Sequence, residues 1–119
     1  MSINSLDAAT AAVVHALVDA FRGVPWKSLR YASRWTPAGD VGADDFWLSN
    51  GGEEVKTMPA LAATLKVSDA AKQHWQLTQT LGQPRWYKMT VKVEHTGRFN
   101  VDFQYRDDYR EGDIMREQG

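Results

Sequence analysis

The sequence predicts an α+β protein in which helices cover an antiparallel sheet of about five strands. Three observations lead to this class. Two segments carry apolar residues at three- and four-residue steps, which is the period of an amphipathic helix. Two C-terminal segments alternate apolar and polar residues, which is the period of a half-buried strand. Between the helical segments, glycine and proline separate three further strand-like segments, which together predict a meander.

Length and composition predict one folded domain over residues 1–119. Of the 119 residues, 43% are hydrophobic and 24% are charged, which is typical of a globular protein. The net charge of −1 provides no basic field for nucleic acid. Because the chain has no cysteine, disulfides are excluded and a reducing compartment is favoured. No signal-like start or long apolar run occurs, so we expect a cytoplasmic protein with no membrane partner.

The first element is predicted as a helix from about Leu6 to Phe21. Ser5 is a suitable N-cap, since its hydroxyl can accept a hydrogen bond from the first turn. Gly23 and Pro25 end the helix. The apolar stripe of this helix consists of Leu6, Val13, Val14, Leu17, Val18 and Phe21.

Three short strands are predicted after the first helix, over 29–35, 45–49 and 53–58. The first alternates apolar and basic residues, and the second carries adjacent aromatic side chains. Asn50-Gly51, between the second and third strands, is a strong turn signal. These features predict an antiparallel meander.

The second helix is predicted to begin at Ser68 as its N-cap and to end near Gly82 as its C-cap. Pro59 ends the third strand, and Leu61 and Leu65 are assigned to a separate short helical turn. The buried face of the second helix is expected to contain Ala71, Trp75, Thr78 and Leu81.

The clearest local signal is a C-terminal hairpin of two alternating strands, 87–93 and 99–105. Because the apolar positions are odd-numbered in both strands, the loop must contain an odd number of residues, and 95–97 fits with Gly97 at the left-handed position. This register pairs Val93 with Phe99, Val91 with Val101 and Met89 with Phe103. We expect the hairpin at the centre of the structure. The charged tail, 107–119, is expected as a loop with a final turn or as a partly disordered segment.

No motif for catalysis, a cofactor or a metal is found. His15, His74 and His95 lie far apart in sequence, and we interpret them as solvated side chains on two helices and a loop tip. The glycines of 49–52 fit a hairpin turn better than a phosphate-binding loop. We therefore expect no catalytic residue, no cofactor and no metal site.

Clustered acidic residues are the candidates for a protein-binding surface. The candidate clusters are Asp40, Asp44, Asp45, Glu53 and Glu54, and then Asp102, Asp107 and Asp108. Such a surface speeds association with a basic partner, although ordinary solvated surface is the alternative. Trp47 or Tyr109 is the candidate aromatic anchor. Trp47 and Trp86 have the parity opposite to that of their apolar neighbours, so each is either an exposed anchor or buried by a second helix.

The C-terminal third combines a tryptophan that opens a strand, a Gly-basic-Phe turn and a closing strand of the form x-Val-Asp-Phe-x-Tyr-x-Asp. The matching residues are Trp86, Gly97, Arg98, Phe99, Val101, Asp102, Phe103, Tyr105 and Asp107. This pattern resembles the signature of the YezG-like family of antitoxins. The upstream order is also similar, with Pro25-Trp26, Phe46-Trp47 and Met58-Pro59 in sequence. The resemblance spans about residues 6 to 115.

The resemblance implies an immunity protein that neutralises a cognate polymorphic bacterial toxin by stoichiometric binding. The implied partner is the C-terminal domain of a toxin, often a nuclease, delivered by contact-dependent, type VI or related secretion. We expect a monomer rather than a homodimer. Two other classes stay open. One is a small ligand-binding or hydrolase domain that uses His15 or His74 in a pocket between sheet and helices. The other is a homodimer through the edge of the meander.

Overall fold

The computed structural model describes residues 5–106 and 108–118. Its elements are α1 (Leu6–Ala20), β1 (Ser28–Trp35), β2 (Gly42–Ser49), β3 (Val55–Lys56), α2 (Leu61–Thr80), β4 (Lys88–Glu94), β5 (Phe99–Gln104) and α3 (Glu111–Gln118). The predicted α+β class is confirmed, and so is the order of helix, three strands, helix and two strands. None of the helices in the described residues combines the length and apolar character that crossing a membrane requires.

The five strands form one sheet in the order β3-β2-β1-β4-β5, and all neighbours are antiparallel. The prediction that the hairpin lies at the centre of the structure is therefore wrong. The central strand is β1, and β5 is an edge. The reason is topological, because α2 returns the chain to the side of β1 that the meander leaves open, and β4 then pairs there.

The predicted hairpin register is confirmed for all three apolar pairs, Val93 with Phe99, Val91 with Val101 and Met89 with Phe103. Gly97 has a φ of 95°, a conformation that side chains rarely adopt. Its N–H donates a hydrogen bond of 2.9 Å to the carbonyl of Glu94. The alternation of apolar residues in β4 and β5 and the turn at Gly97 therefore favour the same pairing of the two strands.

The two faces of the sheet have different coverings. The odd-numbered side chains of β1, β4 and β5 form one face, which α1 and α2 cover, and we call it the helix-covered face. Its fully buried members include Leu29, Tyr31, Met89, Val91 and Val93, together with Phe46 from β2. The even-numbered side chains of the same strands form the opposite face, called here the second face. Ser5 caps α1 as predicted, with its hydroxyl accepting a hydrogen bond of 3.1 Å from the N–H of Ala8.

The second helix is one continuous element, Leu61–Thr80, and does not begin at Ser68 as predicted. Ser68 lies inside α2, where its hydroxyl hydrogen-bonds the Asp44 carboxyl on the helix-covered face of the sheet. The Ser68 hydroxyl, which would have accepted a hydrogen bond as an N-cap, therefore makes a tertiary contact with Asp44. The helix ends near Gly82 as predicted, but its C-cap residue is Leu81. Gly82 follows the cap with a φ of 68°, and its N–H donates a hydrogen bond of 3.1 Å to the carbonyl of Gln79.

Of the four residues predicted for the buried face of the second helix, Ala71, Trp75 and Thr78 are buried as expected. The buried residues are Thr64, Val67, Ala71, His74, Trp75 and Thr78. His74 was expected in solvent, but its side chain is 2% exposed and contacts Trp86 and Phe103. Leu81 was expected in the core, but it follows the last residue of the helix and is 45% exposed. The predicted face is therefore correct except at Leu81, and the same face also buries Thr64, Val67 and His74.

The charged tail is helical where a loop, a final turn or disorder was expected. Helix α3 packs against the second face, at the end of the sheet where Ala43 lies. Ile114 of α3 and Tyr109 before it are the buried contacts. The other half of the second face, around Trp47, carries none of these contacts. The helices therefore cover one face of the sheet except at the edge strand β5, where Phe99 is 49% exposed, and they cover the other face over one half only.

Candidate functional site

The acidic residues from 40 to 54 do not form one docking surface. Asp44 and Asp45 are adjacent on β2, so their side chains leave opposite faces of the sheet. Asp40 is exposed in the loop before β2, where its carboxylate accepts a hydrogen bond of 2.8 Å from the hydroxyl of Thr36. Glu53 is exposed in the turn after β2. The predicted first cluster is thus dispersed by the alternation of β2 itself.

Asp44 belongs to the interior beneath α2. Tyr31, which is fully buried, donates a side-chain hydrogen bond to its carboxylate, and Ser68 contributes a second one. Burial raises the pKa of Asp44, and the hydrogen bonds from Tyr31 and Ser68 oppose that rise. The pKa of the Tyr31 hydroxyl is raised by burial and by the neighbouring Asp44 charge. The Asp44 carboxyl therefore serves the core, and it is not part of an acidic surface.

Asp45 lies on the second face, but cations already neutralise it. Its carboxylate accepts a hydrogen bond of 2.6 Å from Arg34, and its other oxygen lies 3.0 Å from the Lys56 ammonium. The side chain of Asp45 is 13% exposed, and that of Arg34 is buried. Arg34 also donates to Glu117 of α3, so this network attaches the last helix to the sheet. Asp45 acts as a structural ion-pair partner.

The predicted aromatic anchor Tyr109 is 0% exposed, which removes it from any docking surface. Its ring packs 4.6 Å from the ring of Tyr87, and its hydroxyl donates a hydrogen bond of 2.7 Å to Glu117. Burial is the largest cause that raises the pKa of Tyr109, followed by the hydrogen bond to Glu117 and its charge. Helix α3, which the sequence pattern did not predict, is what covers this residue.

The second acidic cluster is divided as well. Asp102 is exposed on the second face at the edge strand β5. Asp108 is exposed beside α3, where its carboxylate pairs with Arg106 at 2.8 Å, and the hydrogen bond from Arg106 lowers the pKa of Asp108. Asp107 lies outside the described residues. The members that can be placed do not share one patch with the residues of β2.

A row of side chains crosses the half of the second face that α3 leaves open. Each of the five strands contributes one residue, and neighbours in the row are directly paired positions. In spatial order the row is Lys56, Trp47, Arg30, Lys92 and Asn100. We call this set the cross-strand row. Lys56, Lys92 and Asn100 are exposed, and Trp47 and Arg30 are half-buried.

The centre of the cross-strand row is a stacked pair. The guanidinium carbon of Arg30 lies 3.6 Å from the centroid of the Trp47 ring, which is a cation–π contact. Glu54 accepts hydrogen bonds of 3.0 Å from both Nε and Nη2 of Arg30, so the guanidinium is held from the side while its face lies on the ring. The hydrogen bond from Arg30 is the largest cause that lowers the pKa of Glu54. Trp47 is thereby presented in one orientation.

The two tryptophans with anomalous parity have different fates. Trp86 is 1% exposed, because α2 and Phe103 cover it. Trp47 stays accessible, because no helix among residues 5–106 and 108–118 covers its half of the sheet. Arg30 and Lys92 were not among the predicted site residues. They are even-numbered positions on β1 and β4 and lie directly opposite each other. The alternation of the strands could have placed each of them on a polar face, but it does not give the register that pairs Arg30 with Trp47.

Two grooves lie outside this row. One, of about 560 Å³, is lined largely by aromatic and arginine side chains at the end of the sheet: Trp35, Trp75, Tyr87, Tyr105, Arg85 and Arg106. The other, of about 440 Å³, lies between α1 and the hairpin and is lined by His15, Asp19, His95 and Phe99 among others. His74 lines neither of these grooves. In the part of the chain that the structure describes, no group of three or more histidine or acidic side chains is placed to hold a metal ion.

Comparison with known proteins adds no assignment to this geometry. No protein-family model matches the chain, and no curated protein matches it closely enough to count. The surface is consequently defined by its own chemistry. It consists of an indole ring stacked with a guanidinium and flanked by two lysines, all on the uncovered half of a five-stranded sheet.

Proposed function

We propose that this chain is an immunity protein that binds a cognate polymorphic bacterial toxin in the cytoplasm and inhibits it stoichiometrically. Two things support the proposal. One is the resemblance of the C-terminal hairpin to the YezG-like antitoxins. The other, which carries the argument, is the ordered Trp47–Arg30 pair on an open sheet face. Tryptophan and arginine are the side chains most enriched where protein interfaces concentrate their binding energy.

The physical advantage of this surface is preorganisation. The residues of the cross-strand row stand on paired strands, and Glu54 restrains the Arg30 side chain from the flank. Little side-chain entropy is therefore lost when a partner covers the pair, and more of the contact energy remains as affinity. An indole that fills a pocket on the toxin typically contributes about 2 kcal/mol or more, which corresponds to roughly 30-fold in Kd.

The charge of the row specifies the chemistry of the partner surface. Lys56, Arg30 and Lys92 supply three cations. Glu54 pairs with Arg30, and Asp45 pairs with Lys56 as well as with the buried Arg34. The complementary toxin surface carries hydrogen-bond acceptors or carboxylates around an apolar pocket for Trp47. This differs from the acidic surface that the sequence predicted for a basic partner. If the toxin is a nuclease, its phosphate-binding cleft is basic, so the proposed row contacts the toxin beside that cleft.

The test is a binding and growth-rescue experiment with the toxin domain encoded beside this gene. We expect the wild-type chain to restore growth, and Trp47→Ala to weaken binding about 30-fold or more. Lys66→Ala is the matched control, since Lys66 is an exposed residue on α2, on the other side of the sheet. Thermal melting of each variant separates loss of contact from loss of folding.

Two outcomes would count against the proposal at different levels. If the wild-type chain neither binds the toxin nor rescues growth, the immunity role is wrong. If the wild type does both and Trp47→Ala binds equally well, the role stands and the cross-strand row is not the contact surface. Because Trp47 is half-buried, Trp47→Ala loses some packing in addition to a cation–π contact worth about 0.5–1 kcal/mol, and the thermal melts show whether the variant is folded at the assay temperature.

A small ligand-binding or hydrolase domain is the second candidate. One observation favours it, since His15 and His95 line the same groove as the carboxylate-bearing residues Asp19 and Glu94. This groove lies between α1 and the hairpin and is about 440 Å³ in volume. A thermal-shift screen of small ligands decides between the classes. A ligand that stabilises the wild type and not His15→Ala would support this candidate, and no stabilisation by any ligand would oppose it.

A further inference from the structure

The two edges of the sheet are protected to different degrees. One edge is β3, which has only two residues and is followed closely by Pro59. Short strands and prolines are common ways to prevent edge-to-edge pairing. The other edge is β5, with six residues, Phe99–Gln104, and it contains neither proline nor lysine. The short β3 with its nearby proline is thus the better protected edge, whereas β5 carries only the single charge of Asp102.

The bonds between β5 and β4 show which main-chain groups of β5 point away from β4. The carbonyl of Arg98 accepts a hydrogen bond of 2.8 Å from Glu94, and that of Gln104 accepts one of 2.9 Å from Tyr87. Successive residues of a strand direct their main-chain groups to opposite sides, so the even-numbered groups of β5 point to β4. The groups that point away from the sheet belong to Phe99, Val101 and Phe103.

We propose that two copies of this chain pair through their β5 strands, antiparallel, about a two-fold axis at Asn100. The result is one continuous ten-stranded sheet. In this register Phe99 lies opposite Val101 of the second copy, and the reverse pair is generated by symmetry. These two pairs use outward-pointing main-chain groups and make four hydrogen bonds across the interface.

Charge complementarity specifies both the occupant and the register. About the Asn100 axis, Arg98 lies directly opposite Asp102 of the second copy, and this pair occurs twice. Both side chains are exposed on the second face. The pairs fall at the positions without main-chain bonds, where Cα atoms are about 4.5 Å apart and side chains are closest. A self-complementary strand fits a second copy of this chain better than an unrelated one.

Apolar burial favours the same arrangement. Phe99 is 49% exposed on the helix-covered side, although its strand neighbours on that side are half-buried. Pairing with Val101 of the second copy covers this exposed ring. An axis at Val101 would instead place Arg98 opposite Gln104, and Asp102 opposite Asn100, so the direct charge pairing would be lost. The Asn100 axis therefore satisfies the charges and the apolar side chains together.

The dimer leaves the cross-strand row accessible and makes it continuous. Asn100 is the last member of the row, so the axis joins the two rows end to end. Both Trp47 rings then lie on the same face of one sheet. The proposed dimer does not depend on the immunity role. It differs from the monomer expected from the sequence, because that expectation was made without knowing that β5 lies at an edge of the sheet.

A cysteine cross-link tests the axis, since the chain has no cysteine of its own. Asn100→Cys places two thiols at the axis, at a Cα separation of about 4.5 Å that a disulfide can span. We expect a disulfide-linked dimer under mild oxidation. Asn50→Cys, in an exposed turn at the end of β2, is the control, and we expect it to dimerise like the wild type without forming a disulfide link. A wild-type chain that light scattering finds monomeric at every concentration, or equal cross-linking of both variants, overturns the proposal.

A charge exchange tests the register separately. Arg98→Glu or Asp102→Arg alone places two like-charge pairs in the interface, and we expect each to raise the dimer Kd about tenfold or more. The double variant restores opposite charges and recovers most of the affinity. Lys66→Glu, an equal charge reversal on α2, leaves the dimer Kd unchanged. If the folded double variant dimerises no better than the single ones, the Asn100 register is wrong.

Discussion

Trp86 donates an indole hydrogen bond of 3.1 Å to Nδ1 of His74 in the core, so the imidazole is neutral and its Nδ1 is an acceptor. Phe103 stacks on the same imidazole with ring centroids 5.2 Å apart. The bond joins α2 to the segment before β4. A histidine that was expected in solvent is thus part of the contact between helix and sheet.

The stability of the fold should fall as the pH is lowered through the histidine range. Burial lowers the pKa of His74, and a backbone hydrogen bond opposes this only in part. As the pH falls, the unfolded chain therefore binds the proton at a higher pH, near 6.5, than the folded chain does. The contribution of neutral His74 to the free energy of unfolding is fully present above pH 6.5 and is lost as the pH falls to the lower pKa of the folded state. Urea unfolding between pH 8 and pH 5 measures the slope.

The variant His74→Gln separates this effect from other titrations, since glutamine keeps an acceptor for Trp86 and does not titrate. We expect it to flatten the stability slope between pH 6.5 and pH 5. His15→Gln, at an exposed position on α1, is the matched control and should keep the wild-type slope. An unchanged slope in His74→Gln would contradict the assignment of this histidine.

The contribution of Asp44 to stability should depend on pH in the opposite direction to that of His74. Burial raises its pKa, so the folded state favours the protonated carboxyl, and its contribution to stability is present at low pH and lost as the pH rises through the raised pKa. Asp44→Asn removes the buried charge and still accepts the hydrogen bond from Tyr31. At pH 7 we expect this variant to be as stable as the wild type or more stable.

Asp44→Ala is the informative comparison. It leaves the buried Tyr31 hydroxyl without an acceptor, which typically destabilises by about 1–3 kcal/mol. Chemical denaturation at pH 7 measures both variants, and repetition at pH 4 should reduce the difference between Asp44→Asn and the wild type. Equal losses in Asp44→Asn and Asp44→Ala would show that the ionised carboxylate itself is required.

The attachment of α3 depends on Glu117. Its carboxylate accepts hydrogen bonds from Tyr109 and from the buried Arg34, and its side chain is partly exposed. We expect Glu117→Ala to destabilise the helix by about 1–2 kcal/mol, since solvent moderates the loss. Hydrogen exchange should then accelerate in Glu111–Gln118 and leave the sheet unchanged. Met115→Ala, at an exposed position of the same helix, should retain wild-type exchange.

Gly39 packs against Trp75, and the steric cost of a side chain there can be measured against that at Gly23. Its φ is 74°, and an added Cβ would lie 2.7 Å from Cη2 of Trp75. Gly23 has a similar φ of 85° with nothing within 4 Å of an added Cβ. Gly23→Ala should therefore lose about 1–2 kcal/mol from the backbone alone, and Gly39→Ala about 1–3 kcal/mol more from displacement of the indole. Equal losses by thermal unfolding would exclude the steric contribution.

Local patterns were sufficient for α1, its Ser5 cap and the hairpin register. In each case the deciding groups are close in sequence, and period, cap chemistry and turn geometry act within a few residues. The same reasoning failed for α2, where a hydroxyl with cap chemistry is used by Asp44 instead. It also failed for His74, because an imidazole is buried or solvated according to the partner it meets.

The candidate surface shows the same division. Sequence clustering placed Asp44 and Asp45 together, although their strand separates them to opposite faces. It could not join Arg30 to Trp47, because their contact exists only when β1 pairs with β2 in one register. Trp86 and Trp47 have the same anomalous parity, yet one is buried and one accessible. Trp86 is buried because α2 packs over it, and Trp47 is accessible because α3 packs on the other half of its face. Where a helix packs on the sheet depends on the whole fold.

The sequence by itself determined the class of the fold, the order of its first two helices and five strands, and the pairing of its last two strands, since short-range periodicity and turn chemistry encode all three. Only the tertiary structure decided which strand is central, which edge is open and which side chains reach the surface. Those properties depend on long-range pairing and on which half of a sheet each helix covers. No local pattern contains that information.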